Sequence, residues 1–416
     1  MSCFATRRSQ VRSLYAPFLT TGAVARAEAL TTDVTLAKRV AAFFRDPRSQ
    51  QWVVAVYVCA ALIVTIQRGV FSFPNDFAVF RASFWNLVAG RDLYVLRLDQ
   101  AHDYFKYSPS FALLFAPFAA LPFVVGLFCW NVVNALSIFF ALRLLLPHDR
   151  AGLAQALVFL PMLRSMQSSQ SNALVAALIV FAFISFERGW LWRGGIAVAV
   201  GAVTKIFPLA ALTFAFPRPD RVRAVLISLV TTIVLLALPL LVVSPRALVA
   251  QYRSWSALEK VEATLLGSSV MGLFRDSGLA WPAWPIQLIG CAIVLAVLIA
   301  RTRDWDDRKL RLQFLAFLMV FCVLFNHRAE RQSAVIAICG MVIWYVTSPR
   351  DAWRTLLFVT VYALVSVSGT AFIPDAIKHI LVPQVRFAIP LTFLWLALLG
   401  ELALDRGARR AITETG

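Results

Sequence analysis

One carboxylate in this chain stands where it could act as a general base. The run Ser72-Phe73-Pro74-Asn75-Asp76-Phe77 follows directly on an apolar stretch long enough to cross a bilayer, which fixes Asp76 near a membrane surface. A carboxylate beside a hydroxyl takes its proton as the oxygen attacks, contributing about 10² to 10⁴-fold in rate. The structural alternative is that Asp76 caps the short juxtamembrane helix expected over Phe77 to Ala89. Lys205 interrupts an apolar stretch, where an unpaired ammonium costs roughly 2.5 to 3.5 kcal/mol, so it either serves an anion or snorkels to the interface. Arg81, Lys106, Arg275, Arg328 and Arg331 are further cations available to an anion, and Arg81 could instead pair with Asp76 or Asp92. Between two apolar runs lies Phe325-Asn326-His327-Arg328-Ala329-Glu330-Arg331-Gln332, too polar for a mere turn. There His327 could contact an anion or a hydroxyl or be structural, and Glu330 could pair with Arg328 or Arg331 or bind hydroxyls. Gln170 and Asn172 offer amides suited to hydroxyls or to neighbouring helices, and Tyr94 and Tyr107 could stack on a ring or anchor at the interface.

The elements that must position these residues are membrane helices. Of 416 residues 60% are hydrophobic and only 15% charged, against about 25% charged in a soluble domain. Continuous apolar runs such as Val222 to Val243 exclude a β-barrel, whose strands alternate over about 10 residues. The net charge of +18 is expected of cytosolic loops rich in Lys and Arg, so nucleic acid is not an implied partner; the lipid bilayer is. Five of the six cysteines lie in apolar spans and Cys3 in the N-terminal tail, which implies no disulfide framework.

Apolar runs place twelve membrane-crossing elements, at 51–71, 123–146, 152–164, 172–187, 192–204, 206–217, 222–244, 284–301, 311–325, 332–347, 353–372 and 385–403. With residues 1–50 as a cytosolic tail lacking a cleavable signal peptide, every cytosolic connection carries Arg, and both termini are cytosolic. Residues 51–416 then form one membrane domain with long outer stretches at 72–122, 245–283 and 373–384. The segment Ser108 to Pro122, broken by Pro109, Pro117 and Pro122, reads as interfacial or re-entrant. Splitting 192–217 near Lys205 and Pro208 keeps the basic clusters at both of its ends on one side and brings Lys205 toward the outer face.

The order Asp76-Phe77, Gly90-x-Asp92-x-Tyr94, Tyr107-x-Pro109, Pro117-x-x-x-x-Pro122, Trp130 and Asn134 resembles the opening of polyprenol-phosphate-mannose-dependent glycosyltransferases, family 87 of the GT-C superfamily. Ser169-Gln170-Ser171-Asn172 resembles that family's Gly-Gln-x-Asn element, with Ser in place of Gly, and Thr204-Lys205-Ile206-Phe207-Pro208 its Lys-x-x-Pro element. Gly267 to Arg275 loosely resembles a later Asn-x-Ser element. A lone His327 with Glu330 stands where relatives often carry paired His. The resemblance implies an all-α GT-C fold that transfers one sugar, mannose by family association, from a polyprenyl-phosphate donor to a glycolipid or glycan hydroxyl at the outer face, with inversion. It implies Asp76 as base, Lys205, Arg81 and Arg331 at the donor phosphate, and His327, Glu330, Gln170, Asn172, Tyr107 and Arg275 as substrate contacts. No metal or cofactor is implied. Residue usage is compatible with a bacterial inner membrane, the site facing the periplasm.

No P-loop, HExxH, GxSxG or metal-binding DxD motif occurs, and Asp304-Trp305-Asp306-Asp307 among its arginines reads as a solvated loop. A transporter or lipid flippase would place charges at mid-bilayer and show repeated broken helices, whereas here the acids cluster in outer loops. A non-catalytic assembly protein would tolerate replacement of Asp76 and Lys205.

Overall fold

The computed structural model describes residues 42–44, 46, 48–279, 281–368, 373, 375 and 387–414, with side chains to 404 in the last helix. The expected tail at 1–50 and outer stretch at 373–384 fall almost wholly outside these residues. Helix α1 (Ser49–Gly69) precedes α2 (Asn75–Val88), the short α3 (Pro109–Leu114) and α4 (Ala116–Ala119), then α5 (Phe123–Leu145), α6 (His148–Gln167), α7 (Asn172–Glu187) and α8 (Leu191–Thr204). A 3-10 segment, Phe207–Ala215, leads to α9 (Arg221–Ala237), α10 (Pro245–Glu262), α11 (Val270–Asp276) and α12 (Ala283–Arg301). The chain continues through α13 (Arg308–Leu324), α14 (Ala334–Thr347), α15 (Ala352–Tyr362) with its π-helical extension Ala363–Val367, and α16 (Ala388–Glu414).

Ser49–Gly69, Phe123–Leu145, Arg221–Leu241 and Ala283–Asp304 are each long and apolar enough to cross a bilayer, and further apolar helices of 10–17 residues accompany them. The protein is an all-α polytopic membrane protein. Burial separates lipid-facing helices from core helices: α9 exposes Val222, Leu226, Leu229, Val230 and Ile233, while Phe314 to Val320 of α13 and Val335 to Ile343 of α14 are buried all round.

Two short elements follow from proline. Helices α3 and α4 have six and four residues, far short of about 30 Å, so 108–122 does not span. Residues 206–217, expected as a membrane-crossing element, instead form a nine-residue 3-10 segment of about 18 Å, too short to cross alone. Pro208 cannot donate into a helix and disfavours helical backbone before it. The segment doubles back along α8: Pro208 abuts Gly201 near the end of α8, whereas Arg218 donates to the Phe186 carbonyl beside its start. Lys205 therefore sits at a turn, extended in backbone (φ −150°, ψ 139°), as the split near Lys205 and Pro208 requires.

The chain alternates between two ends. At one, arginines tie the connections together: Arg311 pairs with Glu187 at 2.8 Å, Arg308 donates to the Leu145 carbonyl at 2.8 Å, and Arg354 pairs with Glu401 at 2.7 Å. At the other end α2, α3, α4 and the first turns of α5 enclose an aromatic cluster. Phe80 meets Tyr107, Phe111 and Phe115 with ring centroids 4.9, 5.1 and 5.4 Å apart, and Phe77 meets Phe115 and Phe123 at 5.5 and 5.2 Å. Edge-to-face pairs contribute about 0.5–1.5 kcal/mol each beyond area burial, so the helix carrying Asp76 is anchored by the residues just after it.

Candidate active site

Asp76 lies in the first turn of α2 but does not cap it. The N-cap is Pro74 and no side chain accepts there, while Asn75 Oδ1 is engaged by the His102 N–H at 2.8 Å. The carboxylate is free for other work and faces Glu330, Gln170 and Lys205. Burial pushes its pKa from 3.8 up to about 6, and the Glu330 charge adds to this; the Gln170 hydrogen bond and the Lys205 ammonium oppose it.

Four polar side chains from three segments form a relay beside it. Gln170 Nε2 donates to Glu330 Oε2 at 2.6 Å, Asn172 Nδ2 donates to Gln170 Oε1 at 2.5 Å, and Lys205 Nζ donates to Asn172 Oδ1 at 2.7 Å. The polarity of this chain is forced. A carboxylate only accepts and an ammonium only donates, so both amides have one orientation each. Both acids, the amide pair and the lysine are thereby held in one register, and Tyr107 closes the group, its ring centroid 5.7 Å from Lys205 Nζ. Burial, followed by the Asp76 charge, raises the Tyr107 phenol pKa, so the ring stays neutral. Burial lowers the Lys205 pKa, against the pull of Glu330 and Asp76.

The local backbone explains how each member arrives. Helix α6 ends in a Schellman turn: Ser169 N–H bonds Met166 O at 2.7 Å and Gln170 N–H bonds Ser165 O at 3.2 Å, with Ser169 in the left-handed region at φ 55°. Glycine adopts that conformation freely, so Ser carries a small strain here. Trp130 Nε1 donates to Ser169 O at 2.8 Å, and Asn134 Oδ1 accepts from Leu174 N–H at 3.2 Å, so two residues one turn apart on α5 clamp both sides of the relay. Ser108 Oγ donates to Val203 O at 2.5 Å, seating Tyr107 against the end of α8. Asp92 and Tyr94 are scaffold: Asp92 accepts from Tyr94 N–H at 2.9 Å and Ser254 Oγ at 2.8 Å, and the Tyr94 hydroxyl donates to Tyr107 O at 2.8 Å.

Not every expected residue joins the relay. Arg81 rests over the Phe123 ring at 5.9 Å and makes no ion pair with Asp76 or Asp92. Arg275 pairs at 3.2 Å with Asp276, both about half exposed. His327 Nδ1 accepts from Gln287 Nε2 at 3.4 Å, and burial lowers its pKa so that the ring is neutral at pH 7. Arg331 opens the turn after Glu330, half-buried and without an acidic partner among the described residues.

Two residues escaped the sequence. Glu262, 6% exposed at the end of α10, binds both Arg328 and, at 3.4 Å, Lys106, which also holds Asp103 at 2.9 Å. This network joins three segments, and the Gly267 and Ser268 N–H groups add bonds of 2.7 Å to His327 O and Ala329 O. Nothing in the spacing of Glu262 marks it. Arg164, in the last turn of α6, did carry a signal, being a cation at the sparsely basic end of an apolar helix.

A half-buried carboxylate of raised pKa, a second acid and a pair of amides beside it suit proton abstraction from a hydroxyl and recognition of polyols. No curated protein matches the chain. The family model of glycosyltransferase family 87 matches residues 105–326, a stretch that contains Tyr107, Gln170, Asn172 and Lys205 and lies between Asp76 and Glu330. The match covers more than half of the 416 residues, and the chain belongs to glycosyltransferase family 87.

Proposed function

We propose that this membrane glycosyltransferase moves a single sugar, mannose by its family resemblance, from a polyprenyl-phosphate carrier to a hydroxyl of a glycolipid or glycan at the outer face of the membrane. The acceptor oxygen forms a bond to the anomeric carbon as the bond from that carbon to the phosphate oxygen breaks. Asp76 receives the hydroxyl proton, and the phosphate leaves with the bonding electrons as polyprenyl phosphate, inverting the anomeric centre. With its pKa near 6 the Asp76 carboxylate is ionised at neutral pH and still basic enough to accept the proton.

The observation that carries this reading is the Glu330, Gln170, Asn172, Lys205 relay beside Asp76. Glu330, Gln170 and Asn172 present acceptors and donors to sugar hydroxyls, and Tyr107 offers a ring face. Lys205, which donates to Asn172, and Arg331, which opens the turn after Glu330, adjoin these groups and offset the growing charge of the phosphate. Arg81, His327 and Arg275 are outlying contacts along the substrate path. The site faces the periplasm of a bacterial inner membrane, with the termini cytosolic, since the arginine-tied connections lie at the opposite helix ends.

The test is transfer of radiolabel from polyprenyl-phosphate-mannose to a total lipid extract by purified protein in nanodiscs, with Asp76→Asn in parallel. Label in a new glycolipid with wild type alone supports donor and base together. Equal transfer by both removes Asp76 as the base, and no transfer sends the donor assignment to other polyprenyl-phosphate sugars.

A further inference from the structure

Arg164 and Arg331 lie on packed elements, near enough for their charges to interact, and no carboxylate among the described residues pairs with either. Arg164 belongs to the last turn of α6 and Arg331 to the short turn before α14, elements that pack together. The Arg331 charge acts repulsively on Arg164. Neither guanidinium forms an ion pair with a described residue, although Glu330 is adjacent in sequence to Arg331 and is engaged by Gln170. Two like charges held near one another on half-buried side chains repel, and an anion between them relieves that repulsion.

The backbone holds Arg164 in place for such a contact. Its Nη1 donates to Ser366 O at 3.0 Å and Val365 O at 3.4 Å, carbonyls of the π-helical segment Ala363–Val367. A π-helical turn shifts the backbone ladder by one residue and leaves such carbonyls to outside donors. One edge of the guanidinium is thereby fixed while its other N–H groups are not sealed inside the protein; neither they nor those of Arg331 are among the buried atoms lacking partners. Planar guanidiniums offer paired N–H groups matched to phosphate oxygens.

We infer that Arg164 and Arg331 together form the seat of a lipid-linked phosphate, one guanidinium from each side of the anion, next to the relay that starts at Glu330. This rests on the polyprenyl-phosphate reading above and adds Arg164, which opposes Arg331 across the phosphate as Lys205 does not, being bonded to Asn172. The α6 arginine is thus a binding residue and more than a tether for the π segment.

The experiment measures binding of farnesyl phosphate to the full chain in nanodiscs, with inorganic phosphate as competitor, for wild type, Arg164→Gln, Arg331→Gln and the double variant. Thermal midpoints without ligand are recorded alongside. Each single change is expected to weaken farnesyl phosphate binding about 10-fold or more, with midpoints for Arg331→Gln unchanged. Unchanged affinity in Arg164→Gln, with or without a lowered midpoint, overturns the proposal and leaves Arg164 a structural residue. Failure of wild type to bind the prenyl phosphate overturns it as well. Full displacement by inorganic phosphate at equal concentration overturns the lipid source and leaves a free-anion site. Failure of the glycosyl-transfer reading registers separately, as wild type that binds farnesyl phosphate through both arginines yet transfers no label from any polyprenyl-phosphate sugar.

Discussion

Replacing Asp76 by Asn should make the protein more stable at neutral pH while abolishing turnover. The carboxyl pKa is raised from 3.8 to about 6 in the fold, chiefly by burial and then by Glu330. A raised carboxylate pKa means that ionisation penalises the folded state. Stability is therefore full below about pH 4, declines as pH rises between about 4 and 6, and stays lower above that. The difference amounts to about 3 kcal/mol at pH 7 and beyond. Asparagine has the same shape, carries no charge and can still accept from the Gln170 amide, so Asp76→Asn should recover up to that amount.

The assay is thermal unfolding of wild type and Asp76→Asn in one detergent at one scan rate, from pH 4 to pH 8, because membrane proteins commonly unfold irreversibly and only matched conditions compare. The variant should show a higher midpoint at pH 8 and no advantage at pH 4, together with at least ~100-fold slower transfer. A midpoint at pH 8 equal to or below that of wild type would refute the reasoning, since the carboxylate would then be solvated or fully compensated. Such a gain of stability on replacing a functional charge, at the expense of activity, is the usual direction of compromise at catalytic sites.

Glu330→Gln removes the like charge that lifts the Asp76 pKa, so the acidic limb of the kcat/KM profile should move to lower pH; an unmoved limb would separate the two acids. Ser169→Gly relieves a left-handed residue at φ 55° and should stabilise the chain by about 1 kcal/mol with transfer intact, as read by thermal midpoint. Gly267→Ala sets a Cβ 2.4 Å from the Ala329 carbonyl oxygen and should displace the loop carrying Glu330, reducing transfer far more than it reduces membrane insertion. Arg275→Ala removes a half-exposed pair with Asp276 and an outlying substrate contact, so stability should stay within about 0.5 kcal/mol, read by thermal midpoint, while transfer falls far less than in Asp76→Asn.

Much of this was legible in the chain because membranes restrict what a sequence can do. Apolar runs located α1, α5, α7 and α12 to within a few residues, since each must satisfy its backbone internally and has no other regular form available. Pro208 and Lys205 announced the turn after α8, although not that the returning segment would be a 3-10 helix too short to cross. Asp76, Gln170, Asn172, Lys205 and Glu330 were each visible as polar residues in costly positions. Their hydrogen-bond order was not, because it depends on pairing across up to 160 residues of sequence. Glu262 was hidden for the same reason, its role set by Arg328 and Lys106 from two other segments. Arg81 shows the opposite error. Its nearness to Asp76 in sequence suggested an ion pair, yet a separation of five residues on a helix points the two side chains apart, and Arg81 settles on Phe123.

Charge changes sign across the site, and that asymmetry selects how a donor can bind. Around Asp76 two carboxylates share one ammonium, leaving a net negative pole. The Lys106, Asp103, Glu262, Arg328 network is self-neutralising, and beyond Glu330 the two guanidiniums Arg164 and Arg331 make a positive pole. A sugar phosphate has the complementary polarity, anionic at the phosphate and increasingly cationic at the anomeric carbon as its bond to oxygen stretches. Bound with the phosphate at the arginines, it brings the anomeric carbon to the carboxylates that stabilise its developing charge, and an acceptor hydroxyl reaches both that carbon and Asp76. The reversed orientation sets phosphate against Asp76 or Glu330. Like charges about 4 Å apart at an effective dielectric near 20 repel by about 4 kcal/mol, close to 10³-fold in occupancy. The same layout carries its own check: Glu330→Gln should tighten farnesyl phosphate binding by thinning the negative pole, whereas unchanged or weaker binding would place that pole too far from the arginines to orient anything.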